Sequence, residues 1–215
     1  IREFKKQGAY FLDKEEIKKF EKVAVDPSTG QINASIVGKS VAYLADLAGI
    51  KVPAGTCLLI ALLEGTGKNY PLSGEILAPV LSFYKCPNYR EAVKTCIDLN
   101  YMGGIGHTAS IYATNEKRIM EFSGIMNAGR IVVNTPSAQG AGGGTFNTLH
   151  PALTLGCGTG GKNITTENIT AIHLINVQRV ARRRPNFNWM TFDITQYFKE
   201  NFTDKDLDRT YYKNH

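Results

Sequence analysis

Apolar positions along the chain follow two alternating spacings, and each spacing predicts a different element. The chain opens on the end of a helix stopped at Gly8, followed by a short extended run at Ala9–Leu12. Asp13 and Glu16 stand three apart, the spacing at which two side chains reciprocally satisfy backbone N–H groups at a helix start. Ile17, Phe20, Val23 and Ala24 then fall on one helical face. After a turn at residues 26–30, a second helix carries Val41, Leu44, Ala45 and Ala48 and ends at Gly49, where glycine takes a left-handed conformation at little cost. Residues 57–63 are an unbroken apolar run, which suits a strand buried on both faces, and residues 80–84 read as another strand. Asn88 with Glu91 opens a helix that turns Val93, Cys96 and Ile97 inward. Residues 108–113 predict a strand, and residues 116–126 a helix with Ile119, Phe122 and Met126 on one side. Residues 130–133 predict a further strand, and residues 137–145 a loop with four glycines in its second half. Such alternation predicts an α/β domain with a mainly parallel sheet and right-handed crossovers. After Cys157 the alternation ends in a polar, β-branched stretch, an arginine run and an aromatic tail.

Composition adds bounds. At 215 residues and 43% hydrophobic, the chain can bury a sizeable core in one large domain, or one domain with an appendage. Its longest apolar run is far too short to cross a bilayer. It begins at Ile1 with no charged-then-apolar leader, so it reads as a fragment or processed product, addressed neither to secretion nor to a membrane. Cys57, Cys86, Cys96 and Cys157 form no CxxC pair and stand near no histidine cluster. Scattered cysteines of this kind point to a reducing cytoplasm rather than a disulfide framework, and no metal is expected. The net charge of +6 is spread out apart from Arg179 and the run 182–184. No nucleic-acid motif accompanies that run, and phosphates of CoA or a dinucleotide account equally well for a modest positive excess.

Two motifs invite a nucleotide reading and do not sustain it. Gly156-Cys157-Gly158-Thr159-Gly160-Gly161 matches GxGxxG, but Lys162-Asn163-Ile164-Thr165-Thr166 is a poor helix start and residues 176–184 hold no acidic group for a ribose. Gly65-Thr66-Gly67-Lys68 resembles the end of a phosphate loop, yet Leu62 stands where its first glycine belongs and Asn69 where it needs Ser or Thr. His107, at the start of a strand after Gly103-Gly104, reads from its position alone as a hydrogen-bonded structural histidine sooner than as a site group. Glu75 is a lone carboxylate in a loop entering a strand, a position usually just solvated.

Several ordered stretches together resemble one family. Glu75-Ile76-Leu77-Ala78-Pro79 is similar to the Glu-Ile-x-x-Pro signature of aldehyde dehydrogenases. Met102-Gly103-Gly104-Ile105-Gly106-His107-Thr108, Asn134-Thr135-Pro136-Ser137, Gln139-Gly140, Leu153-Thr154-Leu155-Gly156-Cys157-Gly158, His173-Leu174-Ile175-Asn176 and Val180-Ala181 continue the series. The combination resembles the catalytic portion of CoA-acylating aldehyde dehydrogenases, including the aldehyde half of bifunctional aldehyde–alcohol dehydrogenases, over about residues 1–184. The resemblance implies a domain of aldehyde dehydrogenase type at 1–155, a crossover towards the nucleotide-binding side at 156–184, and a tail at 185–215. The tail's many aromatics suggest a contact with another subunit or with a missing half.

The chemistry the family implies is attack of a cysteine thiolate on an aldehyde, hydride transfer to NAD or NADP, and passage of the thioester to CoA. In the family that cysteine lies upstream of the stretch matched here, as does the nucleotide-binding half. None of the four cysteines present stands in the matching context, Cys157 included. By resemblance, Glu75 would bind the nicotinamide ribose, His107 would stand near the thioester, and Leu155 would line the cofactor site. A homo-oligomer is expected. The chain departs from the family after Gly158, where an aromatic residue and then Gly-Gly-Asn are common. Here Gly160 replaces the ring and Lys162 replaces a glycine. A hydrolytic aldehyde dehydrogenase and a non-catalytic oligomerisation module stand as alternatives.

Overall fold

The computed structural model describes residues 1–26, 29–183 and 193–214. The chain divides into two units, Ile1–Leu174 and Ile175–His215.

In the first unit, helix α1 (Arg2–Lys6) leads through Gly8, at φ +87°, into strand β1 (Ala9–Leu12). The capping box at Asp13 and Glu16 forms in both directions and starts α2 (Lys14–Ala24), which buries Phe20 and Ala24. The turn after α2 is closed by Gly30 N–H on the Asp26 carbonyl at 2.8 Å, while residues 27–28 lie outside the described residues. Helix α3 (Val41–Ala48) buries Val41, Leu44, Ala45 and Ala48 and stops at Gly49 in the left-handed region. Strand β2 (Leu58–Leu62) runs parallel between β1 and β3 (Val80–Phe83), and its Leu59, Ile60 and Ala61, which alternate between the two faces, have no exposed surface. Packing of α2 and α3 on this sheet leaves Phe20, Leu44, Leu59 and Leu72 with no exposed surface. Each such side chain contributes about 1.5–3 kcal/mol.

Helix α4 (Tyr89–Gly103), capped by the Asn88 side chain, leads to β4 (Gly106–Ile111). Helix α5 (Glu116–Ile125) then returns the chain to β5 (Ala128–Val133), which pairs parallel with β4. Val93, Phe122 and Met126 form a second, smaller core here, with Ile97 and Ile111 against it. Cys96, expected to face inward, is exposed, because Val93 and Ile97 define the buried face of α4 and Cys96 falls beside it. Every strand pair among the described residues is parallel, as expected, but the strands divide into a three-stranded and a two-stranded sheet. Residues 137–141, expected as loop, form the short helix α6 (Ser137–Ala141), because the Pro136 carbonyl accepts from Gly140 N–H at 2.8 Å. Beyond it the backbone runs in turns. Among the described residues no helix is long and apolar enough to cross a membrane.

The second unit holds a 3-10 turn at Ile194–Phe198 and helix α7 (Asp204–Asn214). Of the aromatic tail, Phe187, Trp189 and Phe192 lie outside the described residues. The rings of Tyr197 and Phe202 meet tilted, with centroids 5.8 Å apart, and Phe198 is exposed.

Candidate functional site

Three loops of the first unit converge on one open pocket of about 410 Å³. The first carries Glu75. A 3-10 turn at Pro71–Ser73 precedes it, and the Ser73 hydroxyl holds that turn by donating to the Tyr70 carbonyl at 2.6 Å and accepting from Gly67 N–H. Ser73 also meets Met102 Sδ at 3.5 Å, which sets the Glu75 loop against the end of α4. The second loop is Gly103-Gly104-Ile105, which carries the chain from α4 into β4 and His107. The third is the glycine-rich turn that brings Cys157, Gly160, Gly161 and Lys162 to the pocket wall.

That third loop is a closed turn and not the start of a helix, which agrees with the rejection of a dinucleotide fingerprint. Asn163 Oδ1 accepts from Cys157 N–H at 2.8 Å, Lys162 N–H donates to the Thr159 carbonyl, and Asn163 N–H to the Gly158 carbonyl. The loop lies directly on the start of β4. Gly106 sits at φ +93°, and a β-carbon there would fall 2.0 Å from the Cys157 carbonyl oxygen. A β-carbon at Gly161 would fall 2.2 Å from that of Cys157. Only glycine allows this backbone-on-backbone approach.

Arg130 ties the parts together. It is buried in β5, and its guanidinium donates to the carbonyls of His107 at 3.2 Å, Gly156 at 2.6 Å and Thr166 at 2.6 Å. Among the described residues no carboxylate pairs with it. Three carbonyl dipoles therefore carry the solvation of a buried cation. Sequence reasoning placed Arg130 at the start of a strand and gave it no role. The available signal was a cationic residue next to the apolar run Ile131-Val132-Val133.

Of the expected site residues, Glu75 and His107 meet in the pocket, both exposed to solvent. His107 Nδ1 lies 2.9 Å from Thr108 Oγ1. With Nδ1–H donating to that hydroxyl, Nε2 keeps a free lone pair. Leu155 is half-buried and bridges Asn168 through its backbone, but does not line the pocket. Cys157, set aside as a nucleophile, does line it. No group of three metal-binding side chains occurs among the described residues.

No family model matches the chain. An aldehyde-alcohol dehydrogenase of Clostridium acetobutylicum is 40% identical over 201 residues, which is 92% of this chain and 23% of that protein. A succinate-semialdehyde dehydrogenase (acetylating) of Clostridium kluyveri is 41% identical over 183 residues, covering 84% of this chain and 40% of that protein. Among solved structures, an acetylating aldehyde dehydrogenase of Geobacillus thermoglucosidasius matches at TM-score 0.77 and 42% identity, over 86% of this chain and 41% of that one. The chain thus spans 23% to 41% of the length of these relatives. By sequence and by fold, it is homologous over more than four fifths of its length to one portion of the acylating aldehyde dehydrogenases.

Proposed function

We propose that this chain supplies the cofactor-ribose and acyl-transfer side of an enzyme that reversibly oxidises an aldehyde to an acyl-CoA, with NAD or NADP as hydride acceptor. The observation that carries the reading is the meeting of Glu75 and His107, 32 positions apart in sequence, in one glycine-walled pocket. The residues present fit the nicotinamide end of such a cofactor. A carboxylate offers two acceptor oxygens to a ribose diol, and at Gly103 and Gly104, where a β-carbon would meet nothing within 4 Å, a flat ring can approach the backbone. A nicotinamide bound there would take the hydride from the aldehyde carbon. Glu75 holds the ribose and thereby fixes the ring's distance to the reacting carbon. His107 accepts the proton of the CoA thiol at Nε2; the thiolate so formed attacks the thioester carbonyl, the carbon–sulfur bond to the enzyme breaks, and the enzyme's thiolate leaves and can take back that proton.

The thiol that forms this thioester is assigned to the protein outside these 215 residues. Cys157 is placed by its carbonyl and N–H contacts within a glycine turn and serves as pocket wall. The relatives' naming as acetylating enzymes supports CoA over water as the acyl acceptor.

The test is a graft of this chain in place of the matching segment of the Clostridium kluyveri enzyme. His107→Ala is expected to slow deacylation by CoA in rapid mixing by about 10²-fold or more, while Glu75→Gln slows hydride transfer and leaves deacylation intact. An unchanged deacylation rate in His107→Ala removes the histidine from the mechanism.

A further inference from the structure

Only two described residues other than glycine hold a positive φ, Asn134 at 51° and Lys162 at 60°. Asn134 is explained by its own side chain, which exchanges two hydrogen bonds of 2.9 Å with the backbone of Ala113. Asparagine also tolerates this region better than most residues. Lys162 has no such account. Its N–H closes the turn on the Thr159 carbonyl, a bond that glycine would make equally well and without strain. Its ammonium forms no ion pair among the described residues, although Glu75 lines the same pocket. Beside it, Gly160 presents no side chain to the pocket. A cation thus stands at a strained backbone position on the wall of an open pocket, beside a glycine whose side-chain position is taken by Ile105 and Asn127. Strain kept at a site wall is a reason to look for what the side chain does there.

We infer that Lys162 is the anion-binding residue of this pocket, pairing with a negatively charged group on the ligand that reacts there. The chemistry required is a carboxylate, sulfonate or phosphate. Two sources supply one, a charged tail on the aldehyde itself or a phosphate of CoA. The inference rests on reading the pocket as the reacting end. Glu75 repels an anion and the site is open to water, so the preference is moderate, about three- to tenfold.

The experiment is a titration of the 215-residue chain, labelled with nitrogen-15, following the backbone amides of residues 157–163. Succinic semialdehyde is compared with butyraldehyde, and CoA with pantetheine, in the unaltered chain, Lys162→Gln and Lys162→Arg. Gln keeps the side-chain bulk and the strained backbone and removes only the charge. Saturable shifts with succinic semialdehyde, three- to tenfold weaker for butyraldehyde and for Lys162→Gln, and restored by Lys162→Arg, establish the aldehyde tail as the anion. The same pattern for CoA over pantetheine establishes a CoA phosphate. Equal affinities for charged and uncharged partners, or no loss in Lys162→Gln, overturn the inference. The titration needs no turnover, whereas failure of the proposed reaction shows separately as absence of acyl-CoA from the grafted enzyme.

Discussion

Arg130 reaches three backbone carbonyls, one in β4 and two at the ends of the stretch 156–166, and this single side chain fixes His107 relative to the glycine turn. Removing it leaves one buried and two part-buried carbonyls without their charged donor, each bond worth on the order of 1 kcal/mol net. Arg130→Met is therefore expected to lower the unfolding free energy of the chain by about 2–4 kcal/mol, read from urea denaturation. A change below the error of the titration would show that the guanidinium is dispensable. At the same scale, Cys157→Ala tests the assignment of the thioester. The grafted enzyme should keep acyl-CoA formation within a few-fold, whereas abolition of covalent acylation would make Cys157 the nucleophile. Glu75 and His107 were singled out in the sequence because each sits in a motif that resembles the family's, and both line the pocket. Arg130 and the pocket-lining place of Cys157 were not. Both depend on residues 156–166 folding back onto β4 and β5, a contact between segments 26 and more positions apart that no local pattern encodes.

Elements were read best where a local device sets their ends. The Asp13–Glu16 box, the Asn88 cap and the left-handed Gly49 lie within a few residues of the helices they start or stop, and all three form as expected. The run at residues 57–63 predicted a strand covered on both faces, and β2 is central in its sheet. What local spacing could not give was the division of the strands into two sheets, or the single turn of α6 hidden in a glycine-rich stretch. The same stretches teach why glycine is needed at the junction of elements. Gly106→Ala forces a β-carbon against the Cys157 carbonyl at a φ that side chains rarely adopt. It should displace the 157–162 turn from β4, seen as large amide shifts at both segments and loss of the pocket. Unchanged spectra would mean that the turn does not rest on β4 as described.

At the scale of the whole molecule, the pocket is open, and on the proposed function it forms one wall of a reaction site. Leu153 and Ile164, on the same stretch as the glycine turn, are fully exposed, as is much of Leu174. With no second wall to exclude water and no assigned nucleophile, the purified chain should form no NADH from acetaldehyde, CoA and NAD above a no-protein control. The central claim is that the Glu75–His107 pocket serves transfer of an acyl group to CoA, and product analysis of the grafted enzyme tests it most directly. With aldehyde, NAD and CoA supplied, the account predicts acyl-CoA appearing in step with NADH, and its loss on substitution of His107. Release of the free carboxylic acid at a rate indifferent to CoA would contradict it.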